Sequence, residues 1–154
     1  MDAQFKAQNL ALNQFCKRMN DQYHAYAVHC GLSDPALWVL YSLWETEVPM
    51  TQNDIASIWL YPKQTVNFTI SGFVKKGCVQ LEQRPGIRSG KTIKLTAEGV
   101  ALCKQIIVPL IEAEERSLSR LTDAERHTLI SLSEKQCLSF EREIHALLAL
   151  PENK

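Results

Sequence analysis

Apolar residues recur every three or four positions along most of this chain and every second position over one short stretch, so the pattern predicts helices flanking a small pair of strands. From Phe5 to about Cys30, Leu12, Phe15, Met19, Tyr23 and Tyr26 form a continuous stripe that predicts one long helix ending at Gly31. Ser33 is a suitable N-cap for a second helix, and Pro35 sits in its first turn, where the missing N–H costs nothing. Leu37, Leu40, Tyr41 and Trp44 share one face of that helix, which runs out near Val48-Pro49. Thr51-x-x-Asp54 resembles a capping box opening a short third helix, with Ile55, Ile58 and Trp59 directed inward. After Leu60-Tyr61-Pro62, a fourth helix places Val66, Ile70 and Phe73 on one side, and Gly77 stops it.

Beyond Gly77 the period changes to two. Cys78 to Arg84 and Thr92 to Leu95 read as half-buried strands, with Val79, Leu81, Ile93 and Leu95 facing one way. Between them lies the loop Pro85-Gly86-Ile87-Arg88-Ser89-Gly90-Lys91. Thr96 caps a long helix carrying Leu102, Ile106, Leu110 and Ile111, in which Pro109 is expected to introduce a kink or a break. Thr122-x-x-Glu125 is a full capping box for a last helix, whose stripe is Leu129, Leu132, Cys137, Phe140, Ile144 and Leu147. There is no internal repeat and no low-complexity segment. The fold class is mainly α with a small β wing. Helix, turn, helix and then a two-stranded wing is the order of a winged helix-turn-helix, which lays one helix in the DNA major groove.

Length and composition narrow the class further. At 154 residues the chain is one domain's worth, or a small reading head on a helical scaffold. No apolar run approaches the roughly 20 residues of a membrane span, and Met-Asp-Ala-Gln-Phe-Lys lacks the pattern of a secretory signal, so a cytoplasmic protein is expected. Five widely spaced cysteines without a Cys-x-x-Cys argue against a disulfide framework or a zinc ribbon. Cys103 and Cys137 fall within apolar helical patterns and are expected to be packed as small hydrophobes.

Charge is the more telling property. The chain is neutral overall, yet between Leu60 and Leu95 seven basic residues face a single acid, Glu82, so this segment is +6 and the remainder −6. A local basic footprint on a balanced protein is the signature of a phosphate-contacting surface.

Four short motifs then occur in order: Met50-Thr51-Gln52-x-x-Ile55-Ala56, Lys63-Gln64-Thr65-Val66, Val74-Lys75-Lys76-Gly77 and Leu95-Thr96-x-Glu98-Gly99. Together they make the chain resemble the MarR family of bacterial transcriptional regulators over nearly its whole length. The resemblance implies one MarR-type domain over residues 1–154, with residues 33–96 as the DNA-binding part and residues 1–30 and 97–150 as helical dimerisation parts. It further implies a homodimer that binds a near-palindromic operator, represses, and is released by a small-molecule effector. Two departures stand out. Ile87-Arg88-Ser89 occupies the place where the family's wing often has Asp-x-Arg, and Phe68 stands where its recognition helix often has arginine.

On the fourth helix, Gln64, Phe68, Ser71 and Lys75 point away from the Val66–Ile70–Phe73 side, flanked by Thr65 and Asn67. Gln and Asn can pair bidentately with adenine, and an aromatic edge can pack on a thymine methyl, so an A·T-leaning half-site is expected. The alternative for Phe68 is a place in the core or against a neighbouring helix. Lys63, Lys75 and Lys76 suit phosphates, which position without specifying sequence. Arg88 at the wing tip suits a narrow minor groove, and Arg84, Lys91 and Lys94 complete the basic set.

Other classes leave weaker traces. His24, His29, His127 and His145 are scattered over the terminal helices and form no catalytic constellation, so no enzyme and no cofactor are expected. A metal-responsive variant of the same fold would draw on His24, His29 and Cys30. A thiol-responsive one would use Cys16, which has only Lys17 and Arg18 to activate it. Tyr23, Tyr26, Trp38 and Tyr41 are the candidate lining of an effector pocket for a small aromatic or amphipathic compound, the alternative being that they pack a dimer core.

Overall fold

The computed structural model describes residues 2–83 and 91–150. The expected wing tip, with Arg84 and Arg88, lies outside the described residues. In order the elements are α1 (Ala3–His29), α2 (Asp34–Glu45), β1 (Met50–Thr51), α3 (Gln52–Ile58), α4 (Lys63–Lys75), β2 (Val79–Gln83), β3 (Lys91–Leu95), α5 (Ala97–Leu118) and α6 (Asp123–Leu148). They divide between two compact units, Met1–Pro109 and Leu110–Lys154. Among the described residues no helix is long and apolar enough to cross a membrane.

Local chemistry sets the helix ends. Ser33 caps α2 by accepting from Ala36 N at 3.4 Å. Both Thr51–Asp54 and Thr122–Glu125 close reciprocal capping boxes, for α3 and α6 respectively. α2 stops at Glu45, short of the expected Val48-Pro49, because Thr46 Oγ1 both donates to Val48 O (2.9 Å) and accepts from Val48 N (3.1 Å). That side-chain turn offers the backbone an alternative to the helix. α5 continues through Pro109 without a break; the ring costs it one hydrogen bond, to the carbonyl of Gln105.

The core of the first unit is built from the inward faces expected from the 3.6 period. Leu37, Leu40, Ile55, Val66 and Ile70 are fully buried, as is Ile107, which the expected α5 stripe did not include, each worth about 1.5–3 kcal/mol relative to exposure. Tyr26 secures α1 to α5 by donating its hydroxyl to Ile106 O at 2.7 Å. The two long strands pair antiparallel with Val79 opposite Leu95 and Leu81 opposite Ile93, so the four residues expected on one face do share it.

Three further expectations need correcting. The sheet has three strands in the order β1-β3-β2, since Met50 and Thr51 pair with Ile93 and Thr92; two residues are too few to show alternation, yet they satisfy the other edge of β3. Ile58 is 56% exposed, because α3 ends there and the inward place is taken by Trp59, which stacks on Trp38. Cys137 is exposed while Cys103 is buried, since α6, stripe included, holds no buried residue.

The root of the wing is closely packed around Gly99. Gly77 adopts φ +73°, which takes the chain out of α4 and towards β2. Thr96 then returns to the same spot, its N–H donating to Cys78 O (3.0 Å) and its hydroxyl to Gly77 O (2.6 Å), while Gly99 N donates to Thr96 Oγ1 (3.1 Å). A Cβ on Gly99 would sit 1.9 Å from Cys78 O. Only glycine fits there.

Gly99→Ala is therefore expected to destabilise the fold by at least the ~1–3 kcal/mol of an overpacked site, since a backbone carbonyl cannot rotate aside. An unchanged midpoint in urea unfolding would contradict this. Tyr26→Phe should cost about 1 kcal/mol by removing the hydroxyl donor. Burial, with a smaller contribution from Cys30, pushes the Tyr26 phenol from 10.0 up to about 12. Its contribution is thus fully present below pH 10 and lost as pH rises through about 12. The stability gap between wild type and Tyr26→Phe should hold to pH 10 and close above it; a gap that widens with alkali would be the wrong sign.

Candidate nucleic-acid interface

α3 and α4 are joined by a turn in which Tyr61 N donates to Ala56 O at 3.1 Å and Pro62 takes the N-cap place of α4. Pro62 offers no side-chain cap, so the first-turn N–H groups of α4 are not taken by one, and they carry the positive end of the helix dipole. Val66, Ile70 and Phe73 anchor the helix in the core. That anchoring turns Lys63, Gln64, Asn67, Phe68, Ser71 and Lys75 outward, all of them exposed, with Thr65 half-buried at their margin.

Phe68 is 83% exposed. The alternative of a core position for it is thereby excluded: a large apolar ring stands in solvent at the centre of this face. Asn67 Nδ2 donates to Gln52 Oε1 at 3.0 Å, which ties α4 to the first residue of α3 and orients the amide. Gln52 lay within a quoted motif, but its partner, fifteen residues on, could not be read from the sequence.

Lys91 is exposed at the start of β3. Lys94 meets Glu82 Oε1 at 3.6 Å, and Gln80 Nε2 donates to the same oxygen at 2.9 Å. Among the described residues, Lys63, Lys75, Lys76 and Lys91 form no ion pair, so the one acid of the segment offsets Lys94 alone. Arg84 and Arg88 lie outside the described residues.

Behind this surface, still within the first unit, aromatic rings gather around Trp38. Tyr23 lies 4.8 Å from it, Tyr41 5.5 Å and Trp59 4.1 Å between centroids, the last pair stacked. Trp59 Nε1 donates to Ser42 Oγ (2.6 Å), which donates to Trp38 O (2.9 Å). A cavity of about 280 Å³ is lined by Asn20, Tyr23, Asp34, Leu37, Trp38 and Tyr61. Of the four residues expected to line a pocket, Tyr23 and Trp38 reach this one. Tyr26 spends its hydroxyl on Ile106, and Tyr41 packs against Trp38 and Trp59. Asp34 and Tyr61 were missed, Asp34 because the first turn of a helix accounts for an acid and Tyr61 because it read as part of a turn.

Sulfur and imidazole chemistry is dispersed. Burial raises the Cys103 thiol to about 11, which holds it protonated and unreactive. His24 Nδ1 is hydrogen-bonded to Asp34 Oδ1 at 2.9 Å. Among the described residues no group of three or more His, Cys, Asp or Glu is placed to hold a metal ion.

No protein-family model and no curated protein matches the chain; solved structures do. NMB1585, a MarR family regulator from Neisseria meningitidis, superposes with a TM-score of 0.76 at 21% identity, over 95% of this chain and 99% of its own. MepR from S. aureus, solved as a DNA complex, gives 0.71 at 19% identity over 90% and 99% of the two chains. PcaV from Streptomyces coelicolor, a transcriptional regulator solved with its natural ligand, gives 0.61 at 16% over 81% and 90%. The chain has the winged helix-turn-helix fold of the MarR-family regulators.

Proposed function

We propose that the protein is a DNA-binding transcription regulator of the MarR type, a homodimeric repressor that binds a near-palindromic operator and is released by a small-molecule effector. One observation carries the reading. The exposed face of α4 sets Gln64, Asn67, Phe68 and Ser71 between unpaired lysines on a fold that one solved relative uses while bound to DNA. Gln64 and Asn67 supply the adenine-reading amides and Phe68 a surface for thymine methyls. Lys63, Thr65, Lys75 and Lys91 take phosphates, joined by Arg84, and Arg88 takes the minor groove or a phosphate.

Two copies are needed to read a palindrome. α1 and α6 support dimerisation because Phe5, Phe15, Met19, Leu132, Phe140 and Leu147 are all exposed in the single chain, and large exposed apolar patches mark interfaces. Residues 33–96 are assigned to DNA binding and residues 1–30 and 97–150 to dimerisation. An effector acts by binding one spacing of the two reading heads better than the other.

Selection of bound DNA from a random pool should return inverted repeats with A·T-rich half-sites about one helical turn, roughly 10 bp, apart; recovery of unrelated sequences would overturn the reading. Gln64→Ala should cost ~1–3 kcal/mol at particular base pairs and relax preference there. Arg88→Ala should weaken binding evenly across sequences and flatten its salt dependence. Identical base-preference profiles for wild type and Gln64→Ala would show that the reading face is misassigned. Sedimentation at micromolar concentration should give a dimer, and a monomer would rule the two-fold scheme out.

A further inference from the structure

We propose that the cavity bounded by α1, α2 and the α3–α4 turn binds a small organic cation, of the quaternary or aromatic ammonium class, and that its occupancy is felt at the start of α4. The regulatory half of this proposal rests on the function proposed above; the binding half does not. Three aromatic rings reach the cavity from three elements: Tyr23 from α1, Trp38 from α2 and Tyr61 from the turn. Tyr23 and Trp38 are inclined at 54°, an angle that makes them adjoining walls rather than a closed stack. A cation set against such rings is attracted by their quadrupoles.

The remaining lining fixes the sign of the charge. Asp34 is the one ionisable carboxyl of the lining, and no lysine or arginine joins it there. It sits in the first turn of α2. His24 holds its Oδ1 at 2.9 Å and so orients the carboxylate. The Tyr61 phenol is raised above its ordinary value by burial and by the charge of Asp34. Burial opposes any charge there, but the Asp34 charge, the smaller of the two causes, opposes an anionic ligand as it opposes a phenolate and favours an ammonium group. At about 280 Å³ the cavity falls just below the roughly 300–1,000 Å³ of most small-molecule pockets, which favours a compact cation.

The same turn provides a route to the DNA-reading helix. Leu60 adopts φ 55° and is 87% exposed, a left-handed conformation that a leucine side chain disfavours. It lets Trp59 stack on Trp38 while Tyr61, two residues later, lines the cavity and Pro62 opens α4. A ligand that moves Tyr61 therefore acts two residues before Lys63.

Tryptophan fluorescence of the full-length protein, without DNA, should be titrated with benzyltrimethylammonium, its uncharged carbon analogue neopentylbenzene, and benzoate. The cation is expected to bind at least tenfold more tightly than either of the others. Asp34→Asn should abolish that preference and leave neopentylbenzene binding unchanged. Equal affinity for the cation and its neutral analogue on wild type would overturn the proposal, and that comparison decides whether or not the variant folds. So would a folded Asp34→Asn that keeps the preference. In a second arm, saturating cation should shift affinity for selected DNA at least tenfold. Cation binding with unchanged DNA affinity would remove the coupling to α4, whereas failure to bind any specific DNA would count against the regulator reading and leave the binding site standing.

Discussion

The carbonyl of Cys78 points into the space that Gly99 leaves empty and accepts the N–H of Thr96 at 3.0 Å. Around that oxygen the end of α4, the start of β2, the end of β3 and the first turn of α5 converge, with the Thr96 hydroxyl bridging to Gly77 O. The outward set of α4 and the position of the wing strands both follow from this closure. Were α4 free to roll about its axis, Val66, Ile70 and Phe73 would leave the core, and Gln64 and Phe68 would no longer share one exposed face. Buried apolar contacts hold the inner side of the helix, and the Cys78–Thr96–Gly99 junction holds its end.

A second constraint works from the opposite end of the same helix. The Trp38–Trp59 stack and the Trp59–Ser42 hydrogen bond secure the end of α3 to α2, and Leu60 accepts an unfavourable backbone conformation to carry the chain into α4. Strain of this kind persists only where the surroundings over-determine it. α4 is thus tightly closed at its C-terminus and joined at its N-terminus to an aromatic cluster beside a cavity.

Much of this was legible in the chain because it is encoded locally. The capping boxes at Thr51 and Thr122, the N-cap at Ser33 and the stop at Gly77 depend on residues within four positions of one another. The 3.6 and 2.0 periods likewise brought out the inward faces of α2 and α4 and the shared face of Val79, Leu81, Ile93 and Leu95. What the sequence hid was set by contacts between distant residues. Gly99 read as part of a motif, but its necessity comes from Cys78, twenty-one positions earlier. β1 was too short to show a period, and Ile58 lost the inward place to Trp59 through a stack with a residue on another helix. The exposed face of α4 was legible as the complement of its core face. The cavity was half legible, since Tyr23 and Trp38 stood out as candidate aromatic lining whereas Asp34 and Tyr61 looked like ordinary capping and turn residues.

The central claim is that α4 and the wing together read duplex DNA in symmetric pairs. Hydroxyl-radical footprinting on a DNA fragment bearing the selected site measures this most directly, because it records backbone protection nucleotide by nucleotide. The account predicts protected tracts on both strands, related by a two-fold axis, with centres about one helical turn or roughly 10 bp apart and flanking protection where the wings reach the adjacent minor grooves. A single asymmetric tract, or protection that does not depend on the sequence supplied, would contradict it.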